Sequence, residues 1–302
     1  MTRVASIPMQ RTMLDAIQRS QQKVSATQLQ LASGRKAQNY ADLGTEAVRT
    51  LSAHSLLARQ DAHGTVTKRL GTTLAIQDAN ISNIESASES MRVEMLKAVG
   101  TGQSAGLQEA IDAAFQQVRS ALNADEGGLP LFAGSRTEEL PFKPETLAEL
   151  AGTPAAEVFG NDRIRASARV SEGLDVEFGV VASDLGSKIM EGFRTLAGLA
   201  PIGEKVSEAQ ISTLRDAVKQ IESGLTDIRS INAENGRKQA QIEDLGVRAE
   251  DRSILLKELI SRSEDADLAE VASELTMRRT VLEASYSVFS QLSGLSLVRY
   301  LN

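Results

Sequence analysis

The chain has 302 residues, a formal net charge of −7 and no cysteine. The acidic balance argues against a general nucleic-acid-binding surface, and the lack of cysteine excludes disulfides and thiolate metal sites. The start, MTRVASIPMQRTMLDAIQ, lacks the apolar run of a cleaved secretory signal, and no stretch approaches the roughly 18 apolar residues of a membrane span. We therefore expect no membrane insertion, and any export would need a route that reads no such signal.

Proline marks the borders of the regions that can form long helices. The six prolines are at positions 8, 130, 141, 144, 154 and 201. Because proline inside a helix costs about 3 kcal/mol or more, both flanks can form long helices and the middle cannot. Aromatic residues make up only 3% of the chain, which favours long helices packed side by side over a compact aromatic core.

The first region, residues 1–44, is expected to contain one helix and a linker. Apolar and small polar residues recur with heptad spacing at Met13, Ile17, Ser20, Val24, Thr27 and Leu31. Ser33-Gly34 is a suitable helix end, and the polar stretch GRKAQNYADLGT begins there.

Residues 45–128 are expected to form the N-terminal half of a helical rod. A row with steps of four and three runs through Leu70, Leu74, Gln77, Ile81, Ile84, Ser88, Met91, Met95 and Ala98. The segment GTGQSAG at 100–106 interrupts this row and is interpreted as a turn between helices. A shorter helix follows with Leu107, Ile111, Phe115, Val118 and Leu122.

Residues 129–185 are expected to form a small β-rich insert. RIRASARV and LDVEFGVV each alternate apolar with polar residues, and SEG lies between them. This pattern predicts a β-hairpin with a three-residue loop. The polar residues are mostly basic on the first strand and acidic on the second, so opposite charges are expected to face each other across the pair.

Residues 186–262 are expected to form the C-terminal half of the rod. The step of four and three returns at Leu214, Val218, Ile221, Leu225 and Ile228. It continues through the polar segment NAENGRKQAQ to Ile242 and Leu245, and then to Leu255, Leu256 and Leu259. A helix from about 205 to 260 would be roughly 80 Å long.

The last region, residues 263–302, carries more apolar rows than one neighbouring helix can cover. Leu268, Leu275, Leu282 and Phe289 are seven apart, Val281, Val288 and Leu295 form a second row, and Val271 and Leu292 a third. An isolated terminal helix cannot hide these rows from water, so we expect the first and last helices to pair and other copies of the protein to cover the surplus. The residues predicted to pack between subunits are Met13, Ile17, Val24, Leu31, Leu268, Val271, Leu275, Leu282, Val288, Phe289, Leu292 and Leu295.

The complete pattern predicts a mainly α fold: a long antiparallel helical rod or coiled coil with paired terminal helices and a small β-rich insert in the middle. No arrangement of nucleophile and base is found, so we expect no enzyme, and no cofactor or metal is predicted. His54 and His63 are interpreted as exposed helix residues, SEDAD at 263–267 as a helix-start cap, and Arg278-Arg279 as a solvated face.

Four segments resemble the flagellin superfamily of bacterial flagella. RSQQKVSATQLQLASGRKAQNYAD resembles its first helix and linker, and PLFAGSRTEELPF its exit into the outer domain. LTDIRSINAENGRKQAQIED resembles its long C-terminal rod helix, and residues 261–302 its terminal helix. The ending SYSVFSQLSGLSLVRYL and the stretch LFAGSRTEELPF are similar to the flagellin-like members found at the junction of hook and filament. The stretch NYADLGTEA departs from the acidic PSDDP-like segment that those members have after the first helix.

The resemblance implies a structural subunit of the flagellum, exported without a cleavable signal and located outside the cell. It implies a ring of self-packing subunits with a hook-associated protein on one side and flagellin on the other. It also implies a cytoplasmic export chaperone that holds the C-terminal helix before assembly.

Other functions remain open at this level. The chain could be a flagellin of the filament itself, which would polymerise from filament seeds. A soluble adaptor or signalling coiled coil would need heptads that continue through residues 34–45, where the sequence has none. An enzyme on a helical bundle would need inward-facing ligands, which are missing.

Overall fold

A computed structural model gives the fold and describes residues 3–199 and 201–301, with side chains described for 8–199 and 201–292. Helix accounts for 73% of the chain, which confirms the mainly α prediction. The α-helices are α1 (Arg3–Ser33), α2 (Ala47–Thr101), α3 (Leu107–Leu122), α4 (Leu147–Gly152), α5 (Ala182–Ala197), α6 (Glu208–Glu264) and α7 (Leu268–Leu301). A 3₁₀ helix, Tyr40–Glu46, precedes α2. The strands are β1 (Asp125–Glu126), β2 (Leu129–Pro130), β3 (Ala166–Ser171) and β4 (Leu174–Phe178).

Helices α2 and α6 run antiparallel in the middle of the fold. The Nε of Arg229 lies 2.7 Å from the Oε1 of Glu85, and the Nη1 of Arg92 lies 3.1 Å from the Oε1 of Glu222. Every position of the predicted row from Leu70 to Ala98 is buried, and so is the predicted α6 row from Leu214 to Ile228. The heptad spacing therefore identified the buried faces of both helices.

Helices α3 and α5 complete this core. The ring of Phe115 packs edge-on against Phe142 at a centroid distance of 5.9 Å and against Phe193 at 5.5 Å. The sequence did not predict α5 as a helix of its own, and it begins at Ala182, inside the expected insert. Its apolar residues bury against α3 and α6, so it belongs to the helical core instead.

The insert contains the predicted hairpin with one correction. Strands β3 and β4 are antiparallel, and Arg169 faces Asp175 with Nε 2.8 Å from Oδ1, which confirms the cross-strand charge pairing. Ser171 pairs with Leu174, so the loop has two residues and not three. The tight loop is possible because Gly173, at its second position, has φ +74°, a conformation that glycine adopts without strain.

The hairpin packs on the α2–α6 pair. Val170 and Val176 are buried in a small apolar cluster with Leu70, Leu74 and Ile242. The insert also contains the short helix α4, whose Leu147 and Leu150 join the main core. It is thus a mixed segment and not one built from strands alone.

The chain divides into two compact units. One consists of Met1–Arg59 with Arg252–Asn302, and the other is Gln60–Asp251. The second unit contains both apolar clusters, α3, α5 and the insert. The first contains α1, α7 and the adjoining ends of α2 and α6, while the finer five-part division expected from the sequence stays a prediction.

Candidate subunit-packing surface

The first and last helices form the antiparallel pair that the sequence predicts. The Nη1 of Arg278 on α7 donates to the Oγ1 of Thr27 at 2.7 Å and to the carbonyl of Lys23 at 3.0 Å. Nearer the other end, the amide of Gln21 donates to the hydroxyl of Tyr286. Arg278 therefore binds α1 through hydrogen bonds. The sequence analysis assigned it to a solvated face, and the structure corrects that assignment.

Hydrogen bonds between the two helix breaks hold the start of this pair. The N–H of Lys36 donates to the carbonyl of Glu264 at 2.7 Å, and the N–H of Ala266 donates to the carbonyl of Gly34 at 2.8 Å. The Oε1 of Glu264 also lies 2.6 Å from the Nε2 of His54. His54 thus lies on α2 with its side chain 39% exposed, and its ring contacts Glu264 at the end of α6.

The start of α7 is capped as predicted. The Oδ1 of Asp267 accepts the N–H of Ala269 at 2.9 Å and that of Glu270 at 3.2 Å. These bonds satisfy two of the donors that a helix leaves unpaired at its first turn. The acidic segment is therefore explained by helix capping.

One face of each terminal helix is covered within the chain. Among the predicted packing residues, Ile17, Val24, Val271 and Leu275 are buried. The half-buried ones are Met13, Leu31, Leu282 and Phe289. These side chains serve the pairing of α1 with α7 before any second copy is present.

A second row on α7 remains exposed, and we call it the outer seam. It consists of Met277, Val281, Ala284, Val288 and Leu292. The steps of four, three, four and four place it along one side of the helix, roughly a third of a turn away from the row facing α1. Met277 is 63% and Val281 53% exposed, which is unusual for large apolar side chains in a continuous row.

The outer seam carries no charge between residues 277 and 292. In that range the charged residues are Arg278, which binds α1, and Arg279 and Glu283. Each of the latter lies two residues after a seam member, on roughly the opposite side of a 3.6-residue helix. The seam can therefore be buried without leaving an unpaired charge.

Two predicted packing residues lie elsewhere. Leu268 is exposed at the start of α7. Around the helix it lies on the same side as the row that faces α1, and not on the side of the outer seam. Leu295 lies outside the residues whose side chains the structure describes. The sequence analysis missed Met277, because this residue lies outside the heptad rows that were followed.

Further apolar side chains in the same unit are exposed on α2 and α6. Val48, Leu51 and Leu56 on α2, and Ile254 and Leu255 on α6, are exposed. The sequence analysis placed Leu255 on the α6 row, and its exposure corrects that assignment. The other four residues lie off the predicted rows and were not considered.

Titratable side chains do not gather into a metal-binding group in the described part of the chain. Among the side chains of residues 8–199 and 201–292, no three His, Asp or Glu converge on a point where a metal could bind. The pKa values of Glu89, Asp175 and Glu234 are lowered mainly by hydrogen bonds from Arg92, Arg169 and Lys238 respectively. These shifts are explained by the ion pairs in which the three carboxylates take part.

No helix in the part of the chain that the structure describes is both long and apolar enough to cross a membrane.

Comparison with known proteins gives one family match and several relatives. Residues 218–301 match the bacterial flagellin C-terminal helical region. The flagellar hook-associated protein 3 of Escherichia coli K12 is 21% identical over 300 residues, which cover 89% of this chain and 90% of that protein. The protein of the same name from Salmonella typhimurium LT2 is 20% identical over 285 residues, again covering 89% and 90%.

Solved structures share the fold. A presumed flagellar hook-associated protein from Vibrio parahaemolyticus superposes with a TM-score of 0.64 at 16% identity, covering 74% of this chain and 100% of the other. Bacillus cereus FlgL superposes with a TM-score of 0.58 at 15% identity, covering 70% and 99%. Residues 218–301 are thus similar to the C-terminal helical region of bacterial flagellin, and most of the chain is similar to two flagellar hook-associated proteins.

Proposed function

We propose that this protein is a structural subunit of the junction ring between hook and filament, assembled by packing of the terminal helices of neighbouring copies. The observation that carries the proposal is the outer seam of α7, which stays exposed after α1 has been paired. The names of the two relatives support the hook-associated position. The partners proposed with it are further copies of the chain, an adjacent hook-associated protein and flagellin.

Burial of the outer seam supplies the free energy for assembly. Burying one large apolar side chain stabilises an assembly by about 1.5–3 kcal/mol, before the cost of ordering is subtracted. One side chain cannot offset that cost, whereas a continuous row engaged at once can. Assembly is therefore cooperative, and isolated copies remain separate at low concentration.

The seam also has to be kept from premature contacts. We propose that a cytoplasmic export chaperone covers α7 before assembly, and that the subunit leaves the cell without a cleavable signal. The exposed, uncharged row from Met277 to Leu292 is the surface that such a chaperone would bind.

The decisive variant changes the seam without touching the α1–α7 pair. Val288→Asp places a charge in the seam at a position that is 47% exposed in the single chain. We expect a soluble, helical subunit that fails to enter flagella, with motility lost. Ser287→Asp, at an exposed position roughly 100° away around α7, is the matched control and should assemble normally.

Circular dichroism of both purified variants, and immunodetection of the subunit in isolated hook-basal bodies, are the measurements. Normal incorporation of Val288→Asp would refute the packing role of the seam. Leu282 and Phe289 are less suitable targets, because both are half-buried in the single chain and their substitution would also disturb the α1–α7 pair.

A filament flagellin is the second candidate, favoured by the flagellin family match at residues 218–301. Seeding separates the two: purified flagellin elongates filament fragments, and a junction subunit does not. In a deletion strain, loss of a junction subunit leaves hooks intact while flagellin is released into the medium. Loss of the filament protein itself leaves no flagellin to release.

A further inference from the structure

Four amides, three on α6 and one on α2, interrupt the apolar seam that joins the two helices. Along α6 the seam runs in steps of four and three through Leu225, Ile228, Asn232, Asn235, Gln239 and Ile242. On α2 the corresponding interruption is Gln77, between Leu74 and Ile81. We call Gln77, Asn232, Asn235 and Gln239 the polar layer.

Two members of the polar layer bind the same backbone atom. The Nδ2 of Asn235 and the Nε2 of Gln239 each donate to the carbonyl of Leu74, both at 3.0 Å. Asn235 is 3% exposed, so its amide group must find a partner within the protein. In this register the two amides lie beside Leu74, one turn from Gln77, and a displacement of α6 by one turn would move them towards the apolar cluster on one side or the other.

The polar layer separates two apolar clusters. On one side is the small cluster that includes Leu70, Leu74 and Ile242, and on the other is the main core, which begins at Ile81 and Ile228. Apolar side chains in these clusters pack without direction and discriminate weakly between positions one helical turn apart.

The connection between the helices does not set their register either. α2 ends at Thr101 and α6 begins at Glu208, with α3, the insert and α5 between them. A short turn fixes how two helices align, but a long connection does not, so side chains must select the alignment.

We propose that the polar layer selects the register of α6 against α2. One buried asparagine is known to fix alignment in helical pairs at a cost in stability. The cost is visible here, since the Oε1 of Gln77 and the Oδ1 of Asn232 are buried and accept no hydrogen bond from any residue that the structure describes. The layer contributes alignment and not net stability.

The chain contains no cysteine, so engineered cysteine pairs report the register directly. A Cβ on Gly246 would lie 3.7 Å from the Cγ2 of Thr67, so Thr67→Cys with Gly246→Cys reports the native alignment. Gly71→Cys or His63→Cys, each combined with Gly246→Cys, reports a displacement of one turn, about 5.4 Å, in either direction.

Each cysteine pair is oxidised in three backgrounds: the otherwise unchanged chain, the double variant Asn235→Leu/Gln239→Leu, and the control variant Gln241→Leu. Gln241 is an exposed amide residue of the same helix. In the double variant we expect the ratio of native to displaced disulfide bonds to fall at least about tenfold, because the two hydrogen bonds from Asn235 and Gln239 no longer favour the native alignment. The thermal midpoint should be unchanged or higher. The control should keep the original ratio.

Two results would overturn the proposal. An unchanged bond ratio in the double variant would show that the apolar clusters already set the register. A lower midpoint or unfolding would show that the amides stabilise the pair instead of aligning it. Both measurements use the isolated subunit, so they are independent of whether the protein assembles in the flagellum.

Discussion

At the residue scale, Asp162 shows how a loop can be ordered by one carboxylate. Its Oδ1 accepts the N–H of Ser135 at 2.9 Å and that of Ile164 at 3.0 Å, and its Oδ2 accepts the hydroxyl of Ser135. Gly134 lies so close that a Cβ there would be 2.2 Å from the Oδ1, and its φ is +68°. The conformation of the stretch LFAGSRTEELPF therefore depends on Gly134 and on the carboxylate of Asp162, 28 residues later.

The hydrogen bonds from Ser135, followed by that from Ile164, hold the pKa of Asp162 below its ordinary value. A lowered native pKa means that the ionised carboxylate stabilises the fold above the unfolded pKa, and that this contribution is lost as the pH falls through the native value. We expect Asp162→Asn to melt below the unchanged protein at pH 7, with the difference shrinking as the pH falls through the native value. Calorimetry at several pH values tests this, with exposed Glu138→Gln in the same loop as control. A difference that persists undiminished at low pH would contradict it.

The contacts of single residues that the sequence analysis did not predict have a common cause. The sequence predicted no long-range contact for His54 or Arg278, although Arg278 also pairs with Glu274 four residues earlier. Their partners, Glu264 and Thr27, are more than 200 positions away. Capping by Asp267 was predictable, since a cap acts within one turn of its own residue.

At the element scale, two glycines set the distance between α5 and α6. A Cβ on Gly192 would lie 2.5 Å from the Cδ1 of Ile221, and a Cβ on Gly224 would lie 2.5 Å from the Cδ1 of Ile189. The contact is reciprocal, with each glycine receiving an isoleucine from the other helix. Small residues at these positions are what allow Ile189 and Ile221 to be fully buried.

Gly224→Ala should destabilise the protein by about 1–3 kcal/mol, because the added methyl displaces Ile189 in a packed core. Gly236→Ala is the matched control on the same helix: its Cβ meets no atom within 4 Å. Alanine there should stabilise by about 0.5–1 kcal/mol through helix propensity. Denaturant unfolding measures both changes. Equal effects of the two substitutions would show that α5 is not held at this distance by its glycine contacts.

The regularity of the apolar rows explains which helices and strands could be predicted from the sequence. The long rows of α2, α3 and α6 and the alternation of β3 and β4 repeat often enough to identify their faces. α5 was missed because Gly186 and Gly192 interrupt its apolar pattern, and glycine usually marks a helix boundary. In α7 both the α1-facing row and the outer seam are apolar, so periodicity found the rows but could not tell which one the chain itself covers.

At the scale of the whole molecule, apolar burial is distributed unevenly between the two units. Among its described side chains, α1 buries Ile17, Val24 and Thr27 over a helix of 31 residues. Helix α3 has 16 residues and buries seven side chains. Little apolar surface therefore holds the terminal pair, while its outer seam remains exposed. Because local opening is easiest where buried contacts are few, the terminal pair is expected to be the least stable part of the free subunit.

Hydrogen exchange followed by mass spectrometry tests this expectation in the intact chain. In dilute monomer, amides of residues 10–30 and 270–290 should exchange well before those of α3, whose slow exchange serves as the internal reference. In assembled flagella the same terminal amides should become protected, because neighbouring copies then cover the outer seam and opening it would expose apolar surface on several subunits at once. Protection in the dilute monomer equal to that of α3 would mean that the terminal pair is complete without neighbours, and burial of its seam could then not be the step that couples ordering to assembly.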